Sequence, residues 1–253
     1  MPLTKLMRAS TWISPNVLLR AADLLGVPQK SQAACATSLP YVTKAVVSGG
    51  RTWPYAVWSP PNDSGVPLPV ILFLHGAGER GIDGHAPAKV GLAPALCRFP
   101  ERYPAHVVMP QCPVGLQWSG PVLNAAIATL EETIQATAAD ERRIYLTGIS
   151  MGAHGAFRLA ARQPSRFAAL VAICGWGDAN EIAKHLKHLP TWLFHGAADP
   201  IVPARCSAAL ATALQSAGAD EVRHTEYPGV GHESWDLAYA DPALPDWLFA
   251  RSR

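Results

Sequence analysis

The chain has 253 residues, of which 49% are hydrophobic and 16% charged, and it carries a formal net charge of +2. Such a composition can bury a substantial core, and the near-neutral balance offers neither a basic stripe for nucleic acid nor an acidic tail. No uninterrupted apolar run approaches the roughly 18–20 residues that a membrane-spanning helix needs.

The first forty residues read as a leader of open role, and 41–253 as one domain. Lys5 and Arg8 would suit the start of a signal peptide. Pro15, Asn16, Arg20 and Asp23 interrupt every apolar run that follows, so no signal core forms and a cytoplasmic location is the expectation. Val17–Leu25 suggests a short helix, stopped by Gly26 and Pro28. The five cysteines, Cys35, Cys97, Cys112, Cys174 and Cys206, are scattered and show no C-x-x-C spacing. Reduced, mostly buried thiols are therefore expected, with neither a disulfide framework nor a zinc site.

Two strands, near Tyr41–Val47 and Trp53–Trp58, flank the turn residues Ser48-Gly49-Gly50 and suggest an antiparallel pair. After a proline-rich loop, Val70–Leu74 is a continuous apolar run, as expected of a strand buried on both faces of a parallel sheet. A helix around Ala88–Cys97 and a strand at His106–Met109 follow. Leu123, Ile127, Leu130 and Ile134 line one face of a helix over Pro121–Ala138, with proline in its first turn. Further along come strands at Phe167–Ile173, Thr191–Phe194 and Val222–Tyr227. Helices near Asp178–Leu189 and Pro203–Ala217 separate them, and a short C-terminal helix carries Trp247 and Leu248. Alternation at this spacing predicts an α/β fold: a mostly parallel central sheet with helices on both faces.

The most informative stretch is Ile144–Ile149, a strand-like run that ends in Gly148-Ile149-Ser150-Met151-Gly152 and continues as a helix-prone segment. A strand, a sharp turn and a helix would expose Ser150 at the apex, in a strained backbone conformation, as a nucleophile requires. Met151 would begin the helix with its N–H free to face a developing oxyanion. The plainer alternative is an ordinary serine in a glycine-rich turn.

A serine nucleophile needs a base and a group to orient that base. Asp199, in His195-Gly196-Ala197-Ala198-Asp199, follows one apolar strand, and His232, in Gly231-His232-Glu233, follows the last. The order serine, acid, histidine is that of α/β-hydrolases. Asp178, one strand earlier, is the alternative acid, and His224, inside a strand, the rival base. His75 and His195, each before a glycine at a strand end, suit structural hydrogen bonds. His154 suits local packing, and His185 and His188 a solvated helix face without a third metal ligand. His75-Gly76-Ala77-Gly78 follows the Val70–Leu74 strand and can turn the Ala77 N–H toward Ser150 beside that of Met151. A phosphate-cradling loop is the alternative, but neither P-loop nor dinucleotide spacing is present.

Leu74-His75-Gly76-Ala77-Gly78-Glu79-Arg80-Gly81, Pro110-Gln111-Cys112-Pro113 with Trp118, the Ser150 pentapeptide and Phe194-His195-Gly196 with Asp199 together resemble the dienelactone-hydrolase-like serine esterases. That group includes feruloyl and acetyl-xylan type esterases and proteins labelled predicted peptidases. The resemblance runs from about Trp53 to Phe249. It implies an α/β-hydrolase fold, carboxylic ester hydrolysis, no metal or organic cofactor, and Ser150, Asp199 and His232 as nucleophile, acid and base. True dienelactone hydrolases use a cysteine nucleophile, so their substrate is not expected here. Ala153 stands where relatives often have a second glycine, and many relatives are secreted.

The short interval between the strand ending at Ile173 and the one starting at Thr191 leaves room for one helix and no large lid. An open site suits short-chain or aryl esters as small-molecule substrates, with no nucleic-acid or membrane partner. Trp118 and Trp176 are candidate walls for the substrate, with packing in the core as their alternative, and Gly78 is a third candidate contact. Glu79 and Arg80 suit a salt bridge that pins the oxyanion loop. A serine peptidase and a catalytically silent binding protein are the competing functions, and the oligomeric state is open.

Overall fold

The computed structural model describes residues 40–253; the leader, including the Val17–Leu25 segment and Cys35, lies outside the described residues. Eight strands form one sheet: β1 (Tyr41–Ser48), β2 (Arg51–Trp58), β3 (Val70–Leu74), β4 (His106–Pro110), β5 (Ile144–Ile149), β6 (Ala169–Ile173), β7 (Thr191–Gly196) and β8 (Val222–Tyr227). Their order is β1-β2-β4-β3-β5-β6-β7-β8. β1 and β2 pair antiparallel across the Gly49-Gly50 turn, as do β2 and β4, and every later pairing is parallel.

β3, β5, β6 and β7 are buried along their whole length, which is why they read as unbroken apolar runs. Alternate residues point to opposite faces, and each face has its own core. Leu72, Leu74 and Leu146 pack with Leu123, Leu130, Leu159 and Leu210 on one side. These belong to helices α2 (Gly120–Thr137), α3 (Met151–Arg162) and α5 (Arg205–Ser216); α4 (Ala179–Leu186) lies on the same side through Leu186. Ile71, Phe73 and Tyr145 pack on the other side with Leu96, Tyr239 and Trp247, from α1 (Leu92–Arg98), α6 (Trp235–Ala240) and α7 (Ala243–Phe249).

Two expectations change. The helix anticipated over Ala88–Cys97 is a 3₁₀ turn at Ala86–Lys89 followed by α1, because Gly91 adopts φ 62° between them. A Cβ on Gly91 would also come within 2.7 Å of the Phe73 ring. The short C-terminal helix carrying Trp247 and Leu248 is present as α7, and a further helix, α6, precedes it across Asp241-Pro242. The cysteines are not uniformly reduced: Cys112, Cys174 and Cys206 are free thiols, whereas Cys97 is disulfide-bonded.

Candidate active site

Ser150 stands between β5 and α3 with φ 51° and ψ −117°, a region that costs roughly 1–3 kcal/mol for a residue with a side chain. Its N–H donates to the Ile173 carbonyl at the end of β6, and its own carbonyl accepts from His154 N, so the turn is held from both sides. The flanking glycines are needed for close approach. A Cβ on Gly152 would lie 1.9 Å from the Leu74 carbonyl oxygen, and one on Gly148 would lie 2.4 Å from that of Gly152. Ala153 is accommodated because Gly175 faces it, where a Cβ would come within 2.7 Å of the Ala153 methyl.

Three strand ends deliver three side chains to one place. His232 Nε2 lies 2.9 Å from Ser150 Oγ, and His232 Nδ1 lies 2.7 Å from Asp199 Oδ2. Asp199 Oδ1 accepts the backbone N–H groups of Ile201 and Val202 at 2.8 and 2.9 Å. Gly196 lets the β7 and β8 loops touch, since a Cβ there would sit 2.1 Å from Gly231 O. Burial alone would raise the Asp199 carboxyl. Hydrogen bonds from His195 and His232 overcome it and hold the acid well below the usual carboxylate range. Burial likewise pushes His232 down, but the Cys174 sulfur and the Asp199 carboxylate beside it push it further up, leaving it above the ordinary histidine value.

The oxyanion loop is built around a neutral histidine. His75 Nε2 accepts from Cys112 N at 2.9 Å, so Nδ1 carries the proton and donates to Gly76 O at 2.6 Å. Burial lowers its pKa to about 4, in keeping with an uncharged ring. Gln111 donates to Glu79 O and accepts from Gly84 N, and Trp118 Nε1 donates to His75 O. Ala77 opens a 3₁₀ turn over Ala77–Glu79, Arg80 Nε donates to the Ala77 carbonyl, and Met151 opens α3. A Cβ on Gly76 would stand 3.7 Å from Ser150 Cβ, which places this loop directly against the nucleophile turn.

Other sequence expectations resolve as follows. Trp118 is only 1% exposed and anchors the loop instead of walling an open pocket. Trp176, 5% exposed, packs in the same core and stacks on His154, whose Nδ1 bonds to the Trp176 carbonyl. Both tryptophans are scaffold because loop and helix cover them, whereas Gly78 stays exposed beside Ala77. Asp178 caps α4 by accepting from Glu181 N, and His224 lies within β8, outside the hydrogen-bonded chain that ends on Ser150. His185 and His188 face different carboxylates, Glu181 and Asp220.

Cys174 was not anticipated. It directly follows β6 with φ 45°, is fully buried, and its sulfur lies with the ligand atoms of Asp199 and His232 in a cluster spanning 4.8 Å. Cys-Asp-His is a donor set a divalent metal can use, but here the imidazole is hydrogen-bonded to both the carboxylate and Ser150. Only the position of Cys174 next to the Ser150-bearing strand end could have flagged it, and that neighbour relation exists only across the sheet.

The sheet order and the three strand-end loops are those of the α/β-hydrolase fold. A phospholipase/carboxylesterase family model matches residues 121–241. Among solved structures, a thermostable esterase matches with 32% identity and a TM-score of 0.77, covering 84% of this chain and 63% of the other. The acylaminoacyl peptidase of Pyrococcus horikoshii matches at 16% identity and TM-score 0.67, over 85% of this chain and 42% of its own. A ferulic acid esterase matches at 18% identity and TM-score 0.65, over 82% and 98%. The chain thus spans less than two thirds of the length of the first two. Its fold is that of the α/β-hydrolases, and the proteins it resembles are esterases and peptidases of that fold.

Proposed function

We propose that the protein is a serine carboxylesterase that hydrolyses short-chain or aryl carboxylic esters through an acyl-enzyme. The observation that carries this reading is the continuous hydrogen-bonded chain from Ser150 Oγ through His232 to Asp199, set on a strained strand–helix turn. Ser150 Oγ attacks the ester carbonyl carbon while its proton passes to His232 Nε2. The carbonyl oxygen becomes an oxyanion facing the Ala77 and Met151 N–H groups, each such donor being worth about 10²–10³ in rate. Collapse breaks the acyl–oxygen bond, and the imidazolium returns its proton to the departing alcohol. Water, deprotonated by the same imidazole, then releases the acid and restores Ser150. Asp199 keeps the ring in the Nδ1–H tautomer and stabilises its cation. Every step uses the chain's own groups and water.

The interval between β6 and β7 holds α4 and short loops, so among the described residues no large lid covers the serine. That openness favours small acyl and aryl groups over long lipid chains, of which little would be desolvated. The exposed Gly78 is the loop residue placed to touch substrate. Peptide cleavage is the second reading, favoured by the likeness to an acylaminoacyl peptidase. Comparing p-nitrophenyl acetate with a peptide anilide separates the two. Ester turnover with no anilide cleavage supports the esterase, and faster anilide cleavage overturns it. Absence of Ser150 labelling by a fluorophosphonate would leave only a silent binding protein.

A further inference from the structure

We propose that His195 is a positioning residue for this chemistry, holding the oxygen of Asp199 that receives His232. The inference rests on the reading of Ser150, His232 and Asp199 given above. His195 is the penultimate residue of β7, before Gly196, and is fully buried. Its Nε2 lies 2.8 Å from the Val202 carbonyl oxygen and 3.3 Å from Asp199 Oδ2, and its Nδ1 lies 2.6 Å from Ser207 Oγ.

These contacts fix the tautomer. A carbonyl oxygen can only accept, so Nε2 carries the proton. In the neutral ring Nδ1 is then an acceptor, and the buried Ser207 hydroxyl, in the first turn of α5, donates to it. The Nε2–H is donated to Val202 O, and Asp199 Oδ2 lies 3.3 Å from the same nitrogen. Three donors bond the carboxylate, two amides on Oδ1 and the His232 imidazole on Oδ2, with His195 Nε2 set against Oδ2. With the Asp199 side chain wholly shielded from solvent, no bulk water replaces a lost donor.

Without His195, Oδ2 would be held only by the ring it has to orient. The carboxylate could then turn about its Oδ1 anchors, and the Nδ1 bond that sets the His232 tautomer would loosen. Such an effect belongs to the transition state, in which His232 becomes an imidazolium, and so to kcat and not to KM. A histidine that merely filled space would lower stability and leave that ratio alone.

The test is a double-mutant cycle. His195→Leu, His195→Gln and Ser207→Ala are made in the wild-type and Asp199→Asn backgrounds, with kcat and KM for p-nitrophenyl acetate, the rate of fluorophosphonate labelling and Tm recorded for each. His195→Leu is expected to lower kcat about 10–100-fold with KM changed less than about threefold, and to cost less than about threefold when Asp199 is already asparagine. His195→Gln, whose amide N–H can still donate toward Val202 and Asp199, should recover most of that loss. Ser207→Ala keeps the imidazole but frees it to turn, and should cost about 3–10-fold with the same dependence on Asp199. It carries the test if His195→Leu does not fold. Equal losses in both backgrounds, a loss confined to KM, or full kcat in folded His195→Leu or Ser207→Ala would each overturn the assignment. If wild type labels at Ser150 and turns over while these variants match it, the positioning role alone fails. A wild type that neither labels nor turns over overturns both the role and the function.

Discussion

Asp199→Asn is the change whose consequence follows most directly from the geometry. An asparagine of the same shape can sit in two ways. With its carbonyl toward the Ile201 and Val202 N–H groups, its NH₂ faces His232 Nδ1 and His195 Nε2, which are both donors in the native arrangement. His232 must then turn to the tautomer that accepts at Nδ1 and carries its proton on Nε2, where it can no longer take the Ser150 proton. With the amide flipped, the NH₂ meets two backbone donors and strands both in a site closed to solvent, at about 1–3 kcal/mol each. The first arrangement is therefore preferred, and it is the inactive one. In the serine-protease triad the equivalent exchange costs about 10⁴-fold in kcat, so a loss of at least about 10²-fold is expected here. Asp178→Asn is the control. Asparagine caps a helix about as well as aspartate, so the α4 cap survives and activity should stay within about twofold. The assay is steady-state hydrolysis of p-nitrophenyl acetate near pH 8, with circular dichroism to establish folding. Near-normal turnover in folded Asp199→Asn, or a crippled Asp178→Asn, would refute the assignment of the acid.

Ser150→Ala should leave the fold intact and reduce kcat to the residue that oxyanion-hole and binding effects provide, and retention of more than about a tenth of the activity would exclude Ser150 as nucleophile. The pH profile of kcat/KM should show an acid limb above the ordinary histidine value of about 6.5. A raised His232 pKa means the inactive imidazolium persists to higher pH, and activity returns only as pH climbs through that value. A limb below about pH 6, or a flat profile from about pH 5 to 8, would contradict an imidazole base paired with Asp199. Gly152→Ala drives a methyl into the Leu74 carbonyl and should lower stability by about 3 kcal/mol or more in urea unfolding; a loss under about 1 kcal/mol would mean that α3 can lift off β3. Rate should fall for acyl chains beyond roughly four to eight carbons, without activation at a lipid–water interface. A preference for long-chain emulsions would contradict the open site.

The strands of the fold were legible because burial on both sheet faces writes itself as runs such as Val70–Leu74 and Ile144–Ile149. Ser150 and Asp199 were legible for a related reason, each standing in a glycine-bearing turn after such a run; His232 stands in a glycine-bearing loop after the mixed strand β8, and chain order suggested its place. The supporting shell was not. Gln111 and His75 matter because β4 lies beside β3, and Cys174 because β6 lies beside β5, pairings that no local pattern encodes. Trp118 and Trp176 follow strand ends on the catalytic side, so their positions suggested a substrate wall. Whether such a side chain turns outward or under the loop is decided by partners distant in sequence, here His75 and His154. The break at Gly91 needed a positive φ and the nearby Phe73 ring to be recognised.

Ser150 is expected to carry the acyl group during turnover. Acid quenching within the first turnover of p-nitrophenyl acetate, followed by peptide mapping by mass spectrometry, tests it directly. A burst of p-nitrophenol close to one equivalent is expected, with acetyl on the peptide containing Ser150 and none on that of Ser150→Ala. Turnover with the acetyl on Cys174, or with Ser150 unmodified and no burst in a protein whose deacylation is demonstrably slow, would contradict it.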